Sequence, residues 1–360
     1  MSSLITNTAS AASSSAIRPA TRSPHYIRSL PVLVLFPHNR CNCRCVMCDI
    51  WQIRQVREIR AEDLQPHVDS LRRLGVRWVV FSGGEPQMHT DLAGLSRLLR
   101  AEGIRLTILT AGLLLESQAN AVAEIVDDVI VSLDGPPEVH DRIRRVPRAF
   151  ERLERGIGAL RSVRPDIMIR ARSTVQKANC AHLRSTLATA KTLSLNSISF
   201  LAADVSSEAF NRPGGWSAER QDEVTLGPEE VALLEAEVDL LIEEHWDEIA
   251  AGFVAESPEK LRRIVRHFRS QLGQTVPVAP NCNAPWVSAV IEADGTVRPC
   301  FFHRSLGNLH QAPLMEILNS ELAVDFRRRL DIPNDPVCQR CVCSLNLSAE
   351  AQKAWEAFGQ

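Results

Sequence analysis

The feature that most constrains this chain is RCNCRCVMCDIW, residues 40–51, which puts Cys41, Cys43, Cys45 and Cys48 into eight residues. Four thiols this close are too many for an apolar core and too tightly spaced for ordinary disulfides. Two groupings compete. Cys45-x2-Cys48 is half of a zinc site. Cys41-x3-Cys45-x2-Cys48 is a three-thiolate set on one loop, which would hold a four-iron cluster and leave one iron open to an outside ligand. Ligand type does not choose between them, because thiolates suit both metals.

The compartment fits metal binding. The first 30 residues are rich in Ser, Ala and Thr and have no charged stretch followed by an apolar one, so they read as a disordered tail and not as a secretory signal. The thiols are therefore expected in the reducing cytoplasm, where clustered cysteines serve metals more often than disulfides. The formal net charge of -2 gives no basic excess for nucleic acid. The longest apolar run, residues 31–36, is far too short for a bilayer, so no membrane partner is expected.

From residue 31 onward strand-like and helix-like patterns alternate. Strands are expected at 31–36, 76–81, 105–110, 128–133, 166–175 and 196–202. Helices are expected at 61–75, 91–103, 114–126 and 149–163, and from 181 onward with Asn179 as its cap. Strands this apolar on both faces suit a parallel sheet flanked by helices, with ligands at the carboxyl ends of the strands. The unusual residues fall there: the cysteines after the first strand, Gly83-Gly84-Glu85-Pro86 after the second, Thr110-Ala111-Gly112 after the third and Asp134-Gly135 after the fourth.

These motifs, in this order, resemble the radical S-adenosylmethionine (radical SAM) superfamily over roughly residues 30–205. The three cysteines match its signature, FSGGEP (81–86) its GGE motif, and VSLDGPPEVHDRIR (131–144) the fourth-strand segment of the subgroup with extra clusters. The resemblance implies an α/β fold, a partial (β/α)6 TIM-type barrel. It also implies that Cys41, Cys45 and Cys48 ligate a [4Fe–4S] cluster whose open iron binds S-adenosylmethionine. Gly83, Gly84, Glu85 and Pro86 would receive the methionyl ammonium, and Ser132 and Asp134 the ribose or carboxylate. An external electron donor such as flavodoxin or ferredoxin would reduce the cluster. Two positions depart from the family pattern: Met47 stands where an aromatic is usual, and Ala111 where Asn is often found.

A second set, Cys282, Cys300, Cys338, Cys341 and Cys343, lies near the carboxyl end. Its spacing around an Asp294-Gly295 hairpin resembles the SPASM auxiliary-cluster module in a truncated, twitch-like form. That resemblance implies one auxiliary [4Fe–4S] cluster on Cys282, Cys300, Cys338 and Cys341, in a small C-terminal iron–sulfur extension, with an electron-transfer or structural role. The expected organisation is a tail at 1–30, a core barrel at 31–205, a polar loop and helical linker at 206–275, and an auxiliary cluster domain at 276–360. Long helices are expected near 228–250, 258–272 and 313–330.

Plainer readings compete residue by residue. Cys43 reads as a spare and Cys180 as a core residue. His38, His140 and His303 are satisfied or surface histidines before they are proton donors. Arg144, Arg170 and Arg172 are salt-bridge partners, and Trp51 and Trp286 are packing. Only about 30 residues precede the first strand, too few for a leader-binding winged domain, which favours a small biosynthetic intermediate as substrate. A maturase of a peptide or protein is the alternative. A non-catalytic zinc or iron–sulfur protein is the alternative of a different class. The polar loop 204–227 and the two helices after it are expected to cover the substrate mouth.

Overall fold

Strand β1 (Val32–His38) is buried along most of its length on both faces, as a central parallel strand must be. The computed structural model describes residues 23–348. Around β1 the strands β2 (Trp78–Gly83), β3 (Arg105–Thr110), β4 (Asp128–Ser132), β5 (Met168–Val175) and β6 (Ser197–Ala202) follow in chain order, each parallel to its neighbour. This is a mixed α/β architecture with a six-stranded partial barrel. Helix 149–163 shows why the connections pack as they do. Phe150, Leu153, Ile157 and Leu160 recur at helical spacing and are buried, and the helix lies against helix Leu115–Ile125.

The sheet does not stop at β1. Strand β7 (Ser288–Ile291) pairs in parallel with its free edge, in a register that sets Val290 opposite Val34. Strands β8 (Thr296–Arg298) and β9 (Gly307–Asn308) continue it antiparallel, giving the order β6-β5-β4-β3-β2-β1-β7-β8-β9. The carboxyl-terminal hairpin is thus hydrogen-bonded to the barrel. Its open end brings Cys282, before β7, and Cys300, after β8, to one edge.

Several expectations need correction. Residues 23–30 do not behave as tail. Ile27 and Leu30 are buried in the main core, and Ile27 exchanges hydrogen bonds with the Asn319 side chain. Buried Arg327 donates to His25 O at 2.7 Å and Leu318 O at 2.6 Å. Residues 1–22 lie outside the described residues. The expected 228–250 helix is two helices, Pro228–Glu244 and Trp246–Ala250, meeting at His245. That at 313–330 is also two, Leu314–Leu318 and Glu321–Arg329, because Ser320 caps the second by accepting from Ala323 N. Asn179 is not a helix cap, since the helix Leu183–Thr192 starts after His182. Instead its amide accepts from Gln176 N and donates to Asp134 O, stitching two strand ends together. Arg170 keeps a structural part: with Arg105 and Thr107 it surrounds the fully buried Asp128.

Candidate functional site

The cysteine loop is held from two sides. On one side lies the helix Pro137–Arg144, which ends at Arg145 in the left-handed region (φ 51°). The last carbonyls of any helix lack internal partners. Here those of Ile143 and Arg144 accept from Val46 N (3.0 Å) and Arg44 N (3.1 Å) of the cysteine loop. The Arg144 guanidinium is buried, pairs with Asp134 at 2.5 Å and donates to Cys45 Sγ at 3.5 Å. A cation is thereby fixed against one of the expected ligands.

On the other side a strap, residues 204–223, crosses the loop. Buried Arg212 donates to Met47 O and pairs with Asp204 at 3.0 Å. Arg220 donates to Val46 O at 2.5 Å. Both guanidiniums stack on Trp216, at 3.8 and 4.6 Å from its ring. The Trp216 indole donates to Asp49 at 2.5 Å. Nothing in the sequence marked these three residues beyond a polar loop, and the arginine–tryptophan spacing was the only available signal.

The four clustered cysteines differ in setting. Cys43 and Cys45 are buried among Ala111, Leu113 and Ala149, with Cys41, Met47 and Cys48 packed against that group. The Cys43 thiol sits against the sulfurs of both Cys41 and Cys45, which together with burial push its pKa well up. Cys45 is pulled down by the hydrogen bond from Cys43 and by Arg144. Burial and the neighbouring Cys45 push Cys48 up to about 12.

Gly83 and Gly84 sit against this loop. Gly83 takes φ +97°, and a Cβ there would lie 2.6 Å from Phe36. A Cβ on Gly84 would lie 2.0 Å from Arg40 O. Gly84 N donates to His38 O (3.3 Å) and Glu85 N to Arg40 O (2.7 Å), so both amides tie this turn to the end of β1 and the start of the cysteine loop. Gly84→Ala is therefore expected to displace Arg40 and the cysteine loop. The outcome should be a loss of about 1–3 kcal/mol in stability and weaker S-adenosylmethionine binding, read by denaturation and equilibrium dialysis.

Glu85 is almost wholly buried. Its carboxylate accepts from Ala111 N at 2.8 Å and Gln87 N at 3.3 Å, while burial raises its pKa. It thus joins the second and third strand ends, with Thr110 donating to Gln87 beside it. Pro86 opens a short 3-10 turn after it. Asp134 is fully buried, and its carboxylate takes Thr174 N (3.0 Å) and Arg144, so both residues of this pair face the protein. Ser132, at the end of β4, is buried. His140 is held neutral by burial, with its pKa lowered to about 3, and its Nδ1 faces Asp134 N at 3.3 Å. His38 faces Glu58 at 3.3 Å, and Cys180 is a core residue whose thiol faces Lys177 O.

The second set of cysteines also converges. Cys282, Cys300, Cys338, Cys341 and Cys343 all line one cavity of about 490 Å3, together with inward residues of the barrel such as Val34, Val80 and Arg172. Arg263 donates to Cys341 O at 2.6 Å. His303, which the sequence offers as a satisfied or surface histidine, is buried with Nε2 3.3 Å from Cys338 Sγ. A second cavity, about 830 Å3, runs from Gly84 to Cys341 under the strap. Phe301, Phe302, His303, Val337 and Cys341 line both, so the two spaces meet at the second cysteine set.

The donor sets fit iron–sulfur clusters. A tetrahedral zinc thiolate brings sulfurs within roughly 3.8 Å of one another. Among the described residues no three cysteine sulfurs come within 4.8 Å; the one grouping that tight is His303, Asp335 and Cys338. Sulfurs spread around a larger volume, with buried arginines beside them, suit an anionic cluster.

A cysteine loop after the first strand of a partial barrel, a glycine-rich turn after the second and a further thiol set on an added hairpin define an iron–sulfur enzyme with two cluster sites. Comparison with known proteins gives the family. Residues 35–171 match the radical SAM superfamily, and residues 282–342 match SPASM, an iron–sulfur cluster-binding domain. The chain belongs to the radical SAM superfamily and is a radical SAM enzyme with a C-terminal SPASM domain.

It is 28% identical over 348 residues to an Fe-coproporphyrin III synthase of Methanosarcina barkeri, covering 90% of this chain and 85% of that protein. It is 32% identical over 158 residues to an AdoMet-dependent heme synthase of the same organism, spanning 42% of this chain but only 45% of that relative. The fold is shared with anSMEcpe with bound AdoMet (TM-score 0.63, 19% identity, 91% of this chain and 96% of that one). It is shared also with Streptococcus suis SuiB bound to precursor peptide SuiA (TM-score 0.61, 15% identity, 89% and 73%). Among the described residues no helix is long and apolar enough to cross a membrane.

Proposed function

We propose that this enzyme abstracts hydrogen from a carboxylate-bearing tetrapyrrole, with Cys41, Cys45 and Cys48 holding the cluster that binds S-adenosylmethionine. When bound and reduced, that pair supplies a 5′-deoxyadenosyl radical, and the cofactor carries this step. The protein's own residues orient and shield. Arg144 and Arg212 hold the cysteine loop, Gly84 leaves room beside it, and the strap covers the cavity.

The observation that carries the substrate reading is the cavity of about 830 Å3 between Gly84 and Cys341. Four phenyl rings meet on its wall: Phe301 lies 6.0 Å from Phe36 and 6.4 Å from Phe210, and Phe302 lies 6.3 Å from Phe301. Exposed Arg57, Arg304 and Arg340 stand on its rim. A flat aromatic macrocycle stacks on such a wall while guanidiniums at its edge receive carboxylates. The relative named for Fe-coproporphyrin III, matched over most of both chains, supports the same class. A single auxiliary cluster on Cys282, Cys300, Cys338 and Cys341 would lie where the cavities meet and could accept the electron left on the substrate.

Titration with iron coproporphyrin tests this reading through its main visible absorption band. Tight saturable binding is expected, and Arg304→Glu with Arg340→Glu should weaken it about tenfold or more. No binding, or binding indifferent to both charges, would reject a tetrapyrrole in this cavity.

A further inference from the structure

We propose that His303 donates a hydrogen bond to the Cys338 thiolate of the auxiliary cluster and holds that cluster's reduction potential up, without ligating iron itself. His303 is 8% exposed, and its Nε2 lies 3.3 Å from Cys338 Sγ and 3.8 Å from Asp335 Oδ1. The ring is fixed by the edge-on Phe326 at 5.0 Å, and its own carbonyl accepts from Arg298 at 3.2 Å.

Two acceptors therefore meet one donor. Asp335 caps the short helix Pro336–Gln339, with Oδ1 accepting from Val337 N and Cys338 N, both at 2.9 Å. That fixes the carboxylate beside the Cys338 sulfur. Once Cys338 is a thiolate, two negative groups face each other there, and an N–H aimed at the sulfur from beside the carboxylate relieves their repulsion.

Ligation by His303 is disfavoured by the same distance. In a four-iron cluster each iron takes one protein ligand beside its three sulfides. Cys338 and His303 cannot share an iron, and 3.3 Å is far too short for ligands of two different irons. With Cys338, the thiols of Cys282, Cys300 and Cys341 complete four ligands, and Cys343 lines the same cavity as a fifth, so no histidine is needed. A hydrogen bond to a ligand sulfur stabilises the more negative, reduced cluster, so it raises the potential. His303 also lines the large cavity, which puts this donor between the cluster and the space assigned to substrate.

The test is a redox titration of the reconstituted two-cluster enzyme, followed by electron paramagnetic resonance, with His303→Phe and His303→Gln. His303→Phe should keep about eight irons per chain and move the auxiliary midpoint to a more negative value. His303→Gln retains an N–H donor and should return the midpoint towards the wild-type value. An unchanged midpoint in His303→Phe would overturn the proposal, as would equal midpoints in the two variants. Loss of about four irons from both, with the fold intact by circular dichroism, would make His303 a ligand and overturn it as well. None of these outcomes depends on the identity of the substrate.

Discussion

Cys41→Ala, Cys45→Ala and Cys48→Ala should each cost about four irons per chain and reduce 5′-deoxyadenosine formation to background, while Cys43→Ala keeps both. The expectation rests on how the four thiols are placed. Cys43 and Cys45 share the apolar group formed with Ala111, Leu113 and Ala149, and Cys43 is 1% exposed. The Arg144 guanidinium donates to Cys45 Sγ at 3.5 Å, and the Cys41-x3-Cys45-x2-Cys48 spacing of the family signature leaves Cys43 out. A ligand must be a thiolate, and the hydrogen bond from the Arg144 guanidinium favours that form at Cys45. Iron and sulfide analysis with product detection after anaerobic reconstitution measures the difference. Equal losses in Cys41→Ala and Cys43→Ala would mean that the ligand assignment is wrong.

The second large effect is expected at the Arg144–Asp134 pair. Arg144→Leu should destabilise the cluster-free protein by about 3–5 kcal/mol, because Asp134 would keep a buried charge without its partner. The Asp134 side chain is 0% exposed and that of Arg144 9%. Thr174 N and His140 remain beside Asp134, but neither brings a positive charge, since His140 is held neutral. Arg144 also carries the helix end that receives the cysteine loop, so iron retention should fall in the same variant. Asp134→Leu combined with Arg144→Leu should cost less than the two single changes added together. Urea denaturation of all three variants measures this. Additive losses would remove the pair from the account.

Much of the site was legible in the sequence because its signals are local. Strand lengths, the cysteine spacing and the glycines after β2 each depend on a few consecutive residues. What stayed hidden depends on partners far apart in the chain. The pairing of β7 with β1 joins Val34 to Val290, and no short pattern announces which free edge a strand will choose. Ile27 and Leu30 read as part of a tail until the Asn319 side chain takes both backbone groups of Ile27 and Leu74 O accepts from Leu30 N. Glu85 was expected to face a ligand, and the hydrogen bond it accepts from Ala111 N exists only because β3 stands beside β2. The strap was read as a polar cover. Its grip on Met47 and Val46 comes from Arg212 and Arg220, whose partners lie more than 160 residues away. His303 had the same problem, because only the fold brings it to Cys338.

The central claim is that a radical made beside Cys41, Cys45 and Cys48 takes hydrogen from a tetrapyrrole in the cavity under the strap. Its most direct test is incubation of the reduced, reconstituted enzyme with S-adenosylmethionine and an iron tetrapyrrole deuterated on its carboxyalkyl side chains, with mass analysis of the 5′-deoxyadenosine. One deuterium in that product and a matching change in the macrocycle are expected. 5′-Deoxyadenosine formed without deuterium, together with unchanged macrocycle, would contradict the claim.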